Sequence, residues 1–420
     1  MSRNVHAQRG AAALIVTVML LLAMALAVAL ANRDLLFEQR SASNGVRAAQ
    51  AFEAAEAGLD WATAQLNANR PIGADCAPSA EVAATSFRSR YLAIATGTGL
   101  VTPRAATADD ATATLRAACV RTGDAWSCSC PTQGAPTLPA LGGAAVASFV
   151  VAFEPGAVPG VVGIAATGCI GASTACLGAG GARADATATV HALLGLIGGL
   201  RTPPAATLTT GGEVDAGTAA IGLANADPRT GLAVAAGGAI IAPQARLAVP
   251  PGAAVAESLV DHDASLSALD APRHFAALFG LDRATWQLQA AVHHVDCRVD
   301  CRDALVAALA ASADAALIHV DGDLALAGPL TLGSAARPAL IVVGGDVRLD
   351  GAIALTGLLH AAGTMQWNGA AGGSVRGALV PHAGYRGDAA PDLTYDVDVL
   401  DLLRHRTGSF ARVPGSWRDH

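Results

Sequence analysis

The chain has no lysine: its 27 strongly basic residues are all arginine among 420 residues. Aromatic side chains make up only 4% of it and charged ones 15%. So few aromatics exclude one large aromatic core, and 46 Gly with 20 Pro point instead to small-residue stacking broken by many turns. A net charge of −7 with no arginine-rich face lacks the electrostatic footprint of a nucleic-acid binder. Catalytic patterns are missing too. There is no HExxH, no phosphate loop, no paired-carboxylate site and no Ser-His-Asp neighbourhood, and Gly178-Ala179-Gly180-Gly181 has no following Lys-Ser/Thr. The expectation is a protein that is not an enzyme, with no cofactor, no resident metal and no nucleic-acid partner.

Proline and cysteine are also absent from the first seventy residues. Ala11 to Ala31 is free of charge, with Thr17 its only polar residue. As a helix this run reaches roughly 32 Å, the thickness of a bilayer's hydrocarbon core. Asn32 to Asn69 continues in good helix formers, and Phe52, Leu59 and Leu66 recur every seven residues with Ala48, Ala55 and Ala62 between them. Pro71 ends the pattern. The prediction is one helix within 11–70, membrane-embedded over 11–31 and amphipathic beyond, with Gly45 and Gly58 as soft points. The apolar run is too long for a secretory signal core. A plain single-span anchor would explain the run but not the forty residues of helix that follow. Arg3, His6 and Arg9 precede the run, which places them in the cytoplasm and the bulk of the chain outside. All eight cysteines lie in that outer part, where disulfides are the expected state.

Gln8-Arg9-Gly10 followed at once by the apolar run resembles a type IV prepilin leader, cut after its glycine. Glu38-Gln39-Arg40, Asn44, Arg47 and Ala51-Phe52-Glu53-Ala54-Ala55-Glu56 resemble the N-terminal signature of PilX-type minor pilins. The resemblance covers roughly residues 7–66. It implies processing between Gly10 and Ala11 by prepilin peptidase, and packing of the helix, through residues such as Ile15, Phe52, Leu59 and Leu66, among other pilin helices. It implies an inner-membrane precursor with a periplasmic C-terminal part, and a pilus or cell-surface location after assembly. Implied partners are the major pilin, PilV-, PilW- and FimU-like minor pilins and a PilY-type tip adhesin, in support of twitching, adhesion or aggregation. Major pilins carry glutamate at the fifth mature position, and here that place is Ile15. A subunit without this acid is expected to initiate or cap a filament rather than repeat along it. The alternatives are a GspK-like minor pseudopilin of type II secretion and a membrane-anchored envelope β-solenoid scaffold.

The expected fold class is α+β. Ser148 to Phe153, Val161 to Thr167 and Ala184 to Leu194 are apolar or alternating runs that predict three antiparallel strands within 71–203. The resemblance implies that such a sheet lies on the long helix. Leu92 to Ala117 has no periodicity and is assigned to loop or short helix, with Cys76, Cys119, Cys128 and Cys130 in irregular chain. Cys169 and Cys176 would pin a hairpin. Cys119 with Cys128-Ser129-Cys130 lacks zinc-ribbon spacing, so disulfides are preferred, in a connectivity left open.

After Thr202-Pro203-Pro204 the chain changes character. The segments starting at Leu317, Leu340 and Leu358 align at offsets of 23 and 18 residues, with glycine at their corners. This predicts a β-solenoid-like domain over 204–420, one strand, a turn and a second strand per repeat. A twisted sandwich competes with it. Leu232–Gly252 is a candidate earlier coil and Val375–Val380 a later one, and a helical insertion is expected over about 257–315 from the spacing of His274, Phe275, Leu278, Phe279, Trp286, Leu288, Leu305, Val306 and Leu309. His293, Cys297 and Cys301 would share a face if helical, but a Cys297–Cys301 disulfide is preferred to a metal site there. Asp321, Asp323, Asp346 and Asp350 invite calcium but are ordinary turn residues. The C-terminal segment, with Arg and His beside Phe410 and Trp417, is expected to close the solenoid with Trp417 as a plug, the alternative being an exposed partner-binding segment.

Overall fold

A computed structural model of the chain describes residues 9–108, 113–141, 145–178, 183–297, 301–369 and 372–419. Of the expected leader, 1–10, residues 1–8 lie outside the described residues. One helix runs unbroken over Arg9–Asn67, 59 residues, ending before Pro71 as its composition dictates. Gly45 and Gly58 do not interrupt it. Gly45 has open space around it, but a Cβ on Gly58 would stand 3.0 Å from the Phe149 ring. Gly58 is there for close packing, not softness.

The C-terminal part of this stem helix lies on a seven-stranded antiparallel sheet. Val146–Pro155, Val161–Gly171 and Ala184–Gly198 form its middle, with Arg116–Thr122 and Ala125–Ser129 beyond the first of them. Leu92–Ala117 is thus not mere loop. Leu92–Ile94 pairs with Val101–Pro103, and the sheet begins at Arg116, its alternation hidden because Ala117 to Val120 are all buried. Cys119 and Cys128 likewise sit on paired strands, in register with one another, and are bridged. Cys76–Cys130 and Cys169–Cys176 are bridged as well.

The other far edge of this sheet comes from the opposite end of the chain. Gly408–Arg412 pairs antiparallel with Ala184–Gly198, as does Arg418–Asp419. The C-terminal segment therefore does not close the coils, and Trp417 plugs nothing. Its ring meets Phe52 of the stem edge-on at 6.2 Å, and its Nε1 donates to Glu56 Oε1 at 2.6 Å.

Between these segments the strands pair in parallel and stack as three-sided coils. Leu317 pairs with Leu340 and Leu340 with Leu358 on one side. Leu324 pairs with Val347 and Val347 with Met365 on the second. Each coil carries a third strand that the repeat reading omits, such as Leu330–Leu332 against Ile353–Ala361. It is only three residues long in that coil, too short for a visible alternation. The interior is filled by Leu, Ile and Val with Met365, Trp367 and Tyr385. The corner aspartates cap turns. Asp323 Oδ1 accepts from the Asp346 amide at 2.8 Å, and Asp346 Oδ1 accepts from the Thr364 amide and hydroxyl at 2.6 and 3.0 Å.

The order of coils differs from the order of the chain. Ala206–Thr210 pairs with Leu232–Ala236, which pairs with Leu259–Val260, so the chain first coils outward. Three short helices follow, each opened by an aspartate that accepts amide hydrogens: Asp263, Asp270 and Asp282. Coiling resumes at the opposite end with Val292–Asp296, a strand in what was expected to be helix. It then returns until Ser374–Pro381 meets Ala206–Thr210 at Leu208 and Leu379. The helical segment spans the stack's outer face, where Phe275, Phe279 and Trp286 pack on Leu317, Leu340 and Leu358. Leu288 is exposed, outside that contact.

His274, His360 and His382 lie between this cover and the sheet, ring centroids 5.2 to 6.1 Å apart from His274. Burial, then the neighbouring His382, lowers the His274 pKa to about 4. Burial also holds His360 well below the usual value, with His274, Arg283 and His382 adding to the effect, and lowers His382 against the opposing charge of Asp270. An imidazole with a depressed folded pKa takes up its proton more readily once unfolded. Its cost therefore grows as pH falls from about 6.5 toward 4. The His274 shift by itself should remove about 2 kcal/mol between pH 7.5 and pH 5, and the other two rings add to the loss, in urea titrations of the detergent-solubilised protein. An unchanged midpoint would contradict neutral burial of these rings.

Candidate functional site: the stem helix and its seat

The stem divides into two parts by burial. From Leu14 to Leu30 the large apolar side chains are all exposed, and Ile15 is 56% exposed. Among the described residues this is the helix long and apolar enough to cross a membrane. Glu38, Gln39, Arg40 and Asn44 are exposed. Ala48, expected in the apolar stripe, is exposed too, and the seat begins one turn later. Ala51, Ala55, Leu59, Ala62 and Leu66 are buried, while Phe52 is half-buried under Trp417. Gly10 and Ala11, on the two sides of the expected cut, both lie in the helix.

Small residues on both sides make the seat. A Cβ on Gly168 would lie 2.1 Å from the Ala51 carbonyl oxygen and 2.4 Å from the Ala55 nitrogen. Ala51, Ala54 and Ala55 bring the helix backbone to the sheet there. Farther along, Trp61 meets Phe87 at 5.4 Å and Phe149 at 5.6 Å. Polar contacts then fix the register. Arg47 pairs with Asp185 at 3.4 Å, and Arg412 pairs with Asp60. Glu53 lines an open cleft of about 640 Å³ with Gln50, Arg121, Asp124 and Trp126. The signature residues thus part company. Phe52 and Glu56 hold the C-terminal segment, Glu53 faces the cleft, and Glu38, Gln39, Arg40 and Asn44 stay free of the seat.

The end of the helix is clamped from distant chain. Asn67 Nδ2 donates to the Phe410 carbonyl at 2.9 Å, and its Oδ1 accepts from the Phe410 amide at 2.7 Å. Asn69 Nδ2 donates to Ala315 O at 2.9 Å, and its Oδ1 accepts from the Asp314 amide at 2.8 Å. Buried Arg88 donates to Leu66, Arg406 and Gly408 carbonyls at 3.0, 3.1 and 2.7 Å. Burial lowers its pKa to about 10 and Asp314 works against that, so it is cationic at neutral pH. None of these clamps is legible in the sequence, since their partners are more than 200 residues away except for Leu66. Cys297 and Cys301 are bridged, and His293 sits on a strand before them, so the shared helical face does not form.

The seat holds the helix by apolar packing along it and by hydrogen bonds at its end. The PilX N-terminal family model matches residues 9–60. No curated protein matches the chain. The crystal structure of the competence-associated pilin ComZ from Thermus thermophilus matches over 89% of this chain and 97% of its own, at 12% identity. Its TM-score is 0.25, too low to argue a shared fold. The signature residues, the exposed apolar half-helix and the match over 9–60 together identify the stem as a pilin-like N-terminal segment of the PilX type.

Proposed function

We propose that this protein is a minor pilin that helps to prime or cap a type IV pilus after its leader is removed between Gly10 and Ala11. The observation that carries the reading is the stem itself. Its C-terminal part is seated on a sheet, while Leu14 to Leu30 present apolar surface with no partner among the described residues. In a bilayer that surface is solvated by lipid; in a filament, by neighbouring helices. The alanine content of the segment permits close helix approach in both settings. Before assembly the chain sits in the inner membrane with its folded part in the periplasm, where its four disulfides are stable.

Ile15 supports a terminal position. An amine buried without an acid beside it is costly, so a stem lacking that acid favours a place with one axial neighbour absent. Other minor pilins, the major pilin and a PilY-type adhesin are the partners this role requires.

Mass spectrometry of the protein from cells with prepilin peptidase should give a mature chain beginning at Ala11. An intact Met1, or a cut near residue 31, would remove the pilin reading. Deleting the gene should reduce surface pili while major pilin stays in the membrane. Normal piliation with lost exoprotein secretion would favour a pseudopilus role instead.

A further inference from the structure

One tripeptide occurs twice in the coils. His294-Val295-Asp296 and His319-Val320-Asp321 lie on adjacent parallel strands, paired residue for residue. Val295 and Val320 point into the core, and the histidines and aspartates alternate onto the outer face. There His294, His319 and Asp321 each place a ligand atom within 4.8 Å of the others. We propose that these three residues form a binding site for a divalent transition-metal ion of the zinc class.

Three geometric observations carry the assignment. The His319 side chain is only 2% exposed, yet neither ring nitrogen has a hydrogen-bond partner. A buried imidazole with two idle nitrogens is an exception among folded proteins. Its Nδ1 stands 3.3 Å from Asp321 Oδ1 without making a hydrogen bond. That spacing matches the edge of a tetrahedron with metal–ligand bonds of about 2.0–2.1 Å. The His294 ring lies 5.5 Å from the His319 ring, and its Nε2 is 2.9 Å from the Gln287 carbonyl. A carbonyl can only accept, so Nε2 carries the proton and Nδ1 keeps the lone pair, the outer hydrogen bond common to metal-binding histidines. The nearby Arg283 charge disfavours a cation, and the Asp321 carboxylate offsets it.

Two imidazoles and one carboxylate leave a fourth position for water or an outside ligand. The ion would also staple the strand Val292–Asp296, which begins the returning run of coils, to its neighbour. Binding requires deprotonated imidazoles, so affinity falls on acidification.

The test is isothermal titration of Zn²⁺ into the chelator-stripped full chain in detergent, with Co²⁺ absorption as a second probe. One ion per chain is expected, with a rise in melting temperature. His294→Gln and Asp321→Asn should each weaken binding at least ~10-fold. His293→Gln, on the neighbouring position of the same strand, should leave it unchanged, and circular dichroism should show all three variants folded. His294 and Asp321 are exposed, so these variants do not depend on refilling the core. No binding, binding indifferent to His294→Gln and Asp321→Asn, or equal weakening in His293→Gln would each overturn the site.

Discussion

Replacing Gly168 by valine should unseat the stem helix and destabilise the chain by at least ~3 kcal/mol. A first side-chain carbon at this position would fall 2.1 Å from one backbone atom of the stem and 2.4 Å from another. Neither neighbour is the movable end of a long side chain. The helix must lift, and lifting it exposes Leu59, Ala62 and Leu66 together. Overpacking in a core commonly costs about 1–3 kcal/mol, and here the obstacle is rigid backbone. Urea titration of the full chain in detergent, followed through tryptophan fluorescence, should show the lower midpoint, because Trp61 reports on this seat. Protease should then cut the stem between residues 45 and 67. A midpoint within ~0.5 kcal/mol of the parent would mean that the stem does not rest on this strand.

Arg88→Met should cost about 3–5 kcal/mol. The guanidinium binds three carbonyls at once, and one of them, Leu66 O, belongs to the last turn of the stem. A helix ends with carbonyls that have no partner of their own and a partial negative charge, so a buried cation there both satisfies and neutralises. The other two carbonyls belong to Arg406, the last residue of the helix Val397–Arg406, and to Gly408, the first of the strand Gly408–Arg412, so one side chain joins the stem to the returning C-terminal strand. Methionine keeps most of the volume but strands these groups away from water. Lysine should rescue little, because a single ammonium cannot reproduce the planar fork. Equal stability of Arg88→Met and the parent, measured by the same titration, would show that the clamp does not hold the stem.

The stem was legible because its signals are local. Charge, length, helix propensity and the first proline are all read along the chain, and they place its end near Asn67. The three central strands were legible for the same reason, since alternation and glycine turns lie within them. The repeat offsets read at Leu317, Leu340 and Leu358 are the registers in which those residues pair. Arg116–Thr122 was missed because a strand with four consecutive buried residues has no alternation to read. Val292–Asp296 was missed for a related reason. Its neighbours on both sides are helical, and five residues cannot outweigh them in a window.

What the sequence by itself determined is the life of the stem: where the apolar run starts, how far the helix extends and which residues match a pilin N-terminus. Only the tertiary structure decided how the ends of the chain meet. Gly408–Arg412 completes a sheet begun nearly three hundred residues earlier, and the coils formed last stack against the coil formed first. Parallel pairing and edge-strand addition are made by backbone groups that every residue possesses, so no side-chain pattern announces them. The same holds for His294, His319 and Asp321. Their chemistry is written in the residue types, but only the register of two strands brings it to one place.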